Sequence, residues 1–208
     1  MNPERRRSRL LVLNSIAMRL FQLSIVCVWL TGAMVVAVAQ RRASDAPIQA
    51  AAAAIERGDG KAAEQMLRGV LKTEARSAVA CNLLGFVLFH KGEAQEAETY
   101  LRRAVRLAPS FVAARINLGN LLAATGRAKE ASAQFERAVA AEPKNAAAVA
   151  GLASAMSAQG LWNDAIKHLA IARALAPTNA SYAIALADAL LRAGQMQQAE
   201  ALVAELAR

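Results

Sequence analysis

Between Ala114 and Gly126 the apolar residues Ile116, Leu118, Leu121 and Leu122 recur at helical spacing. This pattern predicts a helix that ends at Gly126, where a left-handed residue costs least. A second helix is predicted from about Ala128 to Ala141, with Ala131, Phe135 and Ala138 on one face. Pro143 then stops it, because proline disfavours a helical residue before it and donates nothing to the backbone ladder. The local unit is helix, tight turn, helix, stop.

That unit recurs every 34 residues. Pro109, Pro143 and Pro177 are 34 apart, and the same step links Gly58, Gly92, Gly126, Gly160 and Gly194. It links Ala63, Ala97, Ala131, Ala165 and Ala199, and also Leu84, Leu118, Leu152 and Leu186. A further column holds Leu67, Leu101, Phe135, Leu169 and Val203. Five columns in phase exceed what an alanine-rich composition produces, and internal periodicity of this length marks stacked repeats. Gly85, Gly119, Ala153 and Ala187 share a column in the first helix that pairs with the alanine column of the second. Small side chains at facing positions let two helices approach closely. A bulky replacement such as Gly119→Leu should overpack that seam at a cost of about 1–3 kcal/mol.

With its 34-residue period, its paired helices, the Asn-Leu-Gly-Asn run at 117–120 and the Ala131-x-x-x-Phe135 spacing completed by Ala138 and Pro143, the chain resembles the tetratricopeptide repeat family. The resemblance covers about residues 44–208. Its best copies are 78–111, 112–145 and 146–179; the last, 180–208, stops before its proline, and 43–77 is a degenerate copy in which Ala75 replaces the proline. The resemblance implies an all-α, right-handed α-solenoid of about five units and ten helices. It also implies that the first helix of each unit lines an extended concave face.

The family's groove columns, carried over residue by residue, give Asn82, Ile116, Ala150 and Ile184; Phe86, Asn120, Ser154 and Asp188; and His90, Ala124, Ala158 and Arg192. Phe86 and Phe89 make the start of this groove apolar and roomy, and it becomes small and polar further along. The expected occupant is a protein or peptide, with Asn120 able to donate to and accept from its backbone. Some relatives clamp a peptide's terminal carboxylate with basic residues on adjacent first helices. That clamp is incomplete here, because Ile116, Ala150 and Ala124 stand where cations are needed.

The chain before the repeats follows a different pattern. Residues 20–39 carry no charge, and twenty residues in a helix span about 30 Å, roughly the hydrocarbon thickness of a bilayer. Arg5, Arg6, Arg7 and Arg9 precede this run, and Arg41 and Arg42 follow it. Residues 1–42 are therefore expected to be a targeting segment. One reading is a cleaved signal peptide, supported by Ala37-Val38-Ala39 before Gln40; the other is an uncleaved membrane anchor, supported by the length of the run and the arginines before it. Both place the repeats outside the cytoplasm, periplasmic or secreted after cleavage, or held at the inner membrane.

Charge follows the same division. Of the formal net charge of +9, residues 1–42 contribute +6 through seven arginines against Glu4. The remainder has an ordinary solvated balance, so no nucleic-acid partner is expected. Two cysteines, Cys27 and Cys81, and two histidines, His90 and His168, are too scattered for a metal site of the usual spacing. No nucleophile–base arrangement, phosphate-binding loop or dinucleotide fingerprint is present, so neither catalysis nor a cofactor is expected. Glu93, Glu96 and Glu98 read as a first-turn cluster favoured by the helix dipole rather than an acid/base pair. The final second helix has no further helix after it in this sequence, so Leu202, Val203 and Leu206 are expected to be exposed. A partner or a second copy of the chain would cover them.

Overall fold

The computed structural model describes residues 46–206, and the targeting segment expected at 1–42 lies outside them. Residues 48–206 belong to one compact unit. The described residues form ten helices and no strand: α1 (46–56), α2 (Gly60–Thr73), α3 (Ala78–His90), α4 (Ala94–Leu107), α5 (Val112–Ala124), α6 (Ala128–Ala141), α7 (Ala146–Ser157), α8 (Trp162–Leu175), α9 (Ala180–Arg192) and α10 (Met196–Leu206). No described helix is long and apolar enough to cross a membrane.

Each hairpin turn is closed in the same way. Gly58, Gly92, Gly126, Gly160 and Gly194 all have φ between 76° and 85°, a region that side-chain-bearing residues avoid. The next residue's N–H reaches back to the fifth carbonyl before it, as Arg127 N–H does to Leu122 O at 2.8 Å. This bond satisfies a carbonyl that the helix end leaves free. Three first helices, α3, α7 and α9, start on side-chain caps: Ser77, Asn145 and Asn179 each accept a backbone N–H from the first turn, whereas α5 starts at Phe111 without one. Where Ala75 replaces the proline, the Arg103 guanidinium donates to the Ala75 carbonyl at 2.5 Å and ties that turn to α4.

Packing explains the small-residue columns. A Cβ on Gly85 would lie 2.6 Å from Leu101 Cγ, and a Cβ on Gly119 would lie 2.7 Å from the Phe135 ring. The glycines are therefore the condition for close contact of α3 with α4 and of α5 with α6. Leu67, Leu101, Phe135 and Leu169 are buried between units. The order of contact fixes the curvature. Each helix packs on its neighbours in sequence, and the backbones of α3, α5, α7 and α9 also approach one another in a row, whereas those of α4, α6, α8 and α10 stay apart. First helices therefore line the inside of the curve and second helices the outside.

The outer helices are tied by charge instead. Arg68 bridges Glu64 and Glu96, and Arg102 bridges Glu98 and Glu130. Arg127 reaches back to Glu98 at 2.8 Å. At the next step Ser132 takes the glutamate's column and Ile166 follows it, so this network ends at α6. At the far end of the array, Val203 and Leu206 are 55% and 46% exposed, as their pattern implied, but Leu202 is buried at 6%. Leu202 turns inward onto α9, where it joins Leu186 and Leu190 in the last core cluster.

A candidate peptide-binding trench on the inner face

The inner row α5, α7 and α9 encloses an open trench of about 410 Å³. Its floor is α7, which presents Ala147, Ala150, Gly151, Ser154 and Ser157. Ile116 and Asn120 form one wall from α5, and Tyr182, Ala185 and Asp188 form the other from α9. Small residues every three or four positions on α7 keep the floor low, and a bulky side chain there would fill the trench. Asn120 and Ser154 are exposed to it.

The groove residues expected from the sequence divide into distinct environments. Ile116, Asn120, Ser154 and Asp188 come together in the trench. Arg192 lies beyond it: its Nε donates to Asp188 Oδ2 at 2.9 Å, and its guanidinium sits 5.3 Å from the centre of the Trp162 ring. Phe86 and His90 line a separate hollow near the first turns, with ring centres 4.3 Å apart. Phe89 is half-buried and packs beside His90 at 5.5 Å. Asn82 is enclosed within the stack, and its Oδ1 accepts from Asn117 Nδ2 at 2.9 Å, joining α3 to α5.

Tyr182, Ala147, Gly151, Ser157 and Ala185 line the trench although the groove columns did not include them. Tyr182 carried a readable signal. It occupies a column otherwise filled by the buried alanines Ala80, Ala114 and Ala148. The other four are small residues, and nothing in their pattern separates a trench floor from a packing seam.

The acidic first-turn residues are engaged in ion pairs. Glu93 pairs with Lys91, Glu96 with Arg68, and Glu98 with Arg102 and Arg127. Burial pushes the Glu98 carboxyl up, but the guanidiniums of Arg127 and Arg102 outweigh it and hold the group below its ordinary value. The Lys91 ammonium and the Arg68 guanidinium lower Glu64 in the same way. Carboxylates held this way favour the ionised form and are poor proton donors near neutrality. Burial raises the Cys81 thiol, which is enclosed between α3 and its neighbours and is no ready nucleophile. His168 Nδ1 lies 2.9 Å from the Asp164 carbonyl of its own helix. No cluster of three potential metal ligands occurs among the described residues.

Comparison with known proteins agrees with this geometry. A family model described as "Tetratricopeptide repeat" matches residues 88–156 and 126–183, and a second model of the same description matches 48–112. Together they span 48–183, and the chain belongs to the tetratricopeptide repeat family. Among solved structures it is similar to MamA from Desulfovibrio magneticus RS-1, at 22% identity and TM-score 0.70, over 78% of this chain and 92% of that one. It is similar to PilF of Pseudomonas aeruginosa at 23% identity and TM-score 0.71, over 77% and 73% of the two chains. YrrB, described as "a TPR protein with an unusual peptide-binding site", is 18% identical with TM-score 0.63, over 75% and 80%. At these identities the likeness shows the shared fold. No curated protein sequence matches the chain.

Proposed function

We propose that the chain is a non-enzymatic adaptor that holds an extended segment of a partner protein in the trench of α5, α7 and α9, outside the cytoplasm and within a cell-envelope assembly. The single observation that carries this reading is the floor of α7, where Ala147, Ala150, Gly151 and Ser154 leave room for a chain between the walls from α5 and α9. The membership of a protein-interaction repeat family supports it, as does the peptide-binding site ascribed to YrrB. Binding would rest on shape, apolar contact with Ile116 and Tyr182, and hydrogen bonds from Asn120 and Ser154 to a peptide backbone. The extracytoplasmic placement rests on the charge-free run at 20–39 and its flanking arginines.

The test is a photo-crosslinking side chain placed at Ser154 in the full chain in its native host, with one at the outer position Ala133 as control. Crosslinks concentrated at 154, and lost in an Ile116→Arg background, support the trench. Equal labelling at the two positions overturns it. N-terminal sequencing and fractionation of the same protein test the location. A start at Gln40, or recovery with the membrane and the repeats open to external protease, supports it; a cytosolic chain that begins at Met1 overturns it.

A second reading is favoured by one observation. Val203 and Leu206 are exposed, whereas their column-mates Leu67, Leu101, Phe135 and Leu169, and Val70, Ala104, Ala138 and Ala172, are all buried. In that reading a second copy of the chain covers α10, and the array tethers a membrane complex by self-association. Light scattering of the full chain over a concentration series, with Val203→Glu as the control, separates the readings: a monomer throughout removes the second.

A further inference from the structure

The two edges of the array differ in charge. One edge holds the glycine turns within each hairpin; the other holds the links from one hairpin to the next, with Pro109 and Pro143. At the glycine edge the charges answer one another. Arg68, Lys91, Arg102 and Arg127 are all paired with glutamates there, and Arg57 and Lys129 each have a glutamate next in sequence.

The opposite edge is unbalanced. The α2–α3 link carries Lys72 and Arg76 against Glu74. The α4–α5 link carries Arg103, Arg106 and Arg115 and no acid. The α6–α7 link carries Arg137 and Lys144 against Glu142. Seven cations thus stand against two acids, and counting Glu136 beside Arg137 still leaves an excess of four. None of the seven makes an ion pair among the described residues. Arg103 donates to the Ala75 carbonyl, and buried Arg115 to the Pro109 carbonyl at 2.6 Å and Gln134 Oε1 at 3.2 Å. Neutral partners leave both charges uncompensated. Burial lowers the Arg115 guanidinium, and the Arg137 charge lowers it further, so like charges are crowded here. The other five cations are exposed. The last link, α8–α9, is balanced, with Arg173 held by Glu205.

The chain itself supplies the reason for this excess. The turn after α1 lies at Gly58, so the first turn of α1, at Ile48, is on the cationic edge. The sequence before Ile48 therefore joins the array at that edge. Residues 40–47 are all that separate Ile48 from the charge-free run at 20–39, a reach of about 29 Å at full extension.

We propose that this edge lies against the anionic phospholipid headgroups of a bilayer, with Lys72, Arg76, Arg106, Arg137 and Lys144 in their field. The proposal rests on the membrane-held reading of residues 1–42 and adds the orientation of the array. Cations next to a membrane span are attracted by anionic headgroups, each shifting the contact equilibrium about fivefold. The attraction fades within about 8 Å at physiological salt, so contact is reversible.

The experiment puts the full chain in lipid nanodiscs with a headgroup-linked quencher. A fluorescent side chain stands at Ser110, with one at Gln95 as control, at opposite ends of α4 and about 21 Å apart. Quenching at 110 is expected to be stronger in discs that contain phosphatidylglycerol than in phosphatidylcholine alone, and to lose that excess in high salt. At 95 it should be weak in both. Arg106→Glu with Arg137→Glu, both exposed changes, is expected to abolish the excess. Arg57→Glu with Lys129→Glu changes the net charge equally at the other edge and should preserve it. No excess at 110, or equal loss in the two double variants, overturns the proposal. Binding of an acidic peptide that depends on Arg106 and Arg137, without quenching at 110, assigns the edge to a protein partner and also overturns it. A chain that high salt strips from the discs, yet is quenched at 110 on phosphatidylglycerol, supports the edge and sinks the anchor. A chain that stays inserted in high salt, with no lipid-dependent quenching, keeps the anchor and sinks the edge.

Discussion

The ring of Phe135 on α6 occupies the space that a side chain on Gly151 of α7 would need; a Cβ there would overlap its Cε1. The column of Phe135 otherwise holds Leu67, Leu101, Leu169 and Val203, and the position facing it in other units holds Leu83, Asn117 and Ala185. The largest residue of one column thus meets the smallest of the next. Gly151→Ala is expected to destabilise the array by about 1–3 kcal/mol, because a well-packed core resists added volume. Phe135→Leu, which makes room, should recover most of that loss when combined with it. Urea midpoints of the four chains check the pair, and additive effects would contradict the contact.

A second test concerns Asn82 and Asn117. Asn82 is 5% exposed, and no buried side-chain oxygen or nitrogen among the described residues lacks a partner. Asn117→Ala strands Asn82 Oδ1 inside the stack. It should cost about 1–3 kcal/mol, the penalty for an unmade buried hydrogen bond. Asn82→Ile combined with Asn117→Ala should cost less than Asn117→Ala alone, since isoleucine already occupies that column at 116 and 184. Denaturant unfolding of the single and double variants reads the difference.

Acid should loosen the outer face. Glu64, Glu98 and Glu130 are all held below the ordinary carboxylate value of 4.5. For Glu64 the Lys91 and Arg68 partners are responsible, and for Glu130 chiefly Arg127. Folding therefore favours their ionised forms. Their contribution is complete above the ordinary value and is lost as pH falls through the lowered ones. The expected outcome is a Tm that is level near neutrality and falls below pH 4.5, with a smaller acid-induced fall in Glu98→Gln. Salt should reduce the same contribution, since these pairs lie at the surface. A Glu98→Gln chain with the parent's full acid profile would contradict this.

Much of the fold is legible because it is local and repeated. The glycine column demanded a left-handed turn, and all five glycines adopt one. The second helix read from Ala128 to Ala141 has those bounds in the structure. Phe135 and Ala138 are buried on the face that their spacing selected. The inner face was less legible. A polar residue in a groove column can face a neighbouring helix instead of the groove, as Asn82 does through Asn117, and sequence spacing does not encode which. Arg192 illustrates a different loss, because its partner Trp162 comes from another helix 30 positions away. The ion pairs are long-range in the same sense: Glu98 meets Arg127 only once two units have stacked.

The outer ties are unevenly spread, and this makes the junctions of the array unequal in their response to ionic strength. Arg68–Glu96 staples α2 to α4, Arg102–Glu130 staples α4 to α6, and Arg173–Glu205 staples α8 to α10. Among the described residues no side-chain hydrogen bond or ion pair joins α6 to α8 directly. The inner row is continuous there through α5, α7 and α9, and Gln159 at the end of α7 donates to Ser132 Oγ of α6 at 2.7 Å, so that junction is held by neutral contacts. Salt that screens the charged staples on either side should therefore leave the grip of α6 on α7 and α8, next to the trench, unchanged.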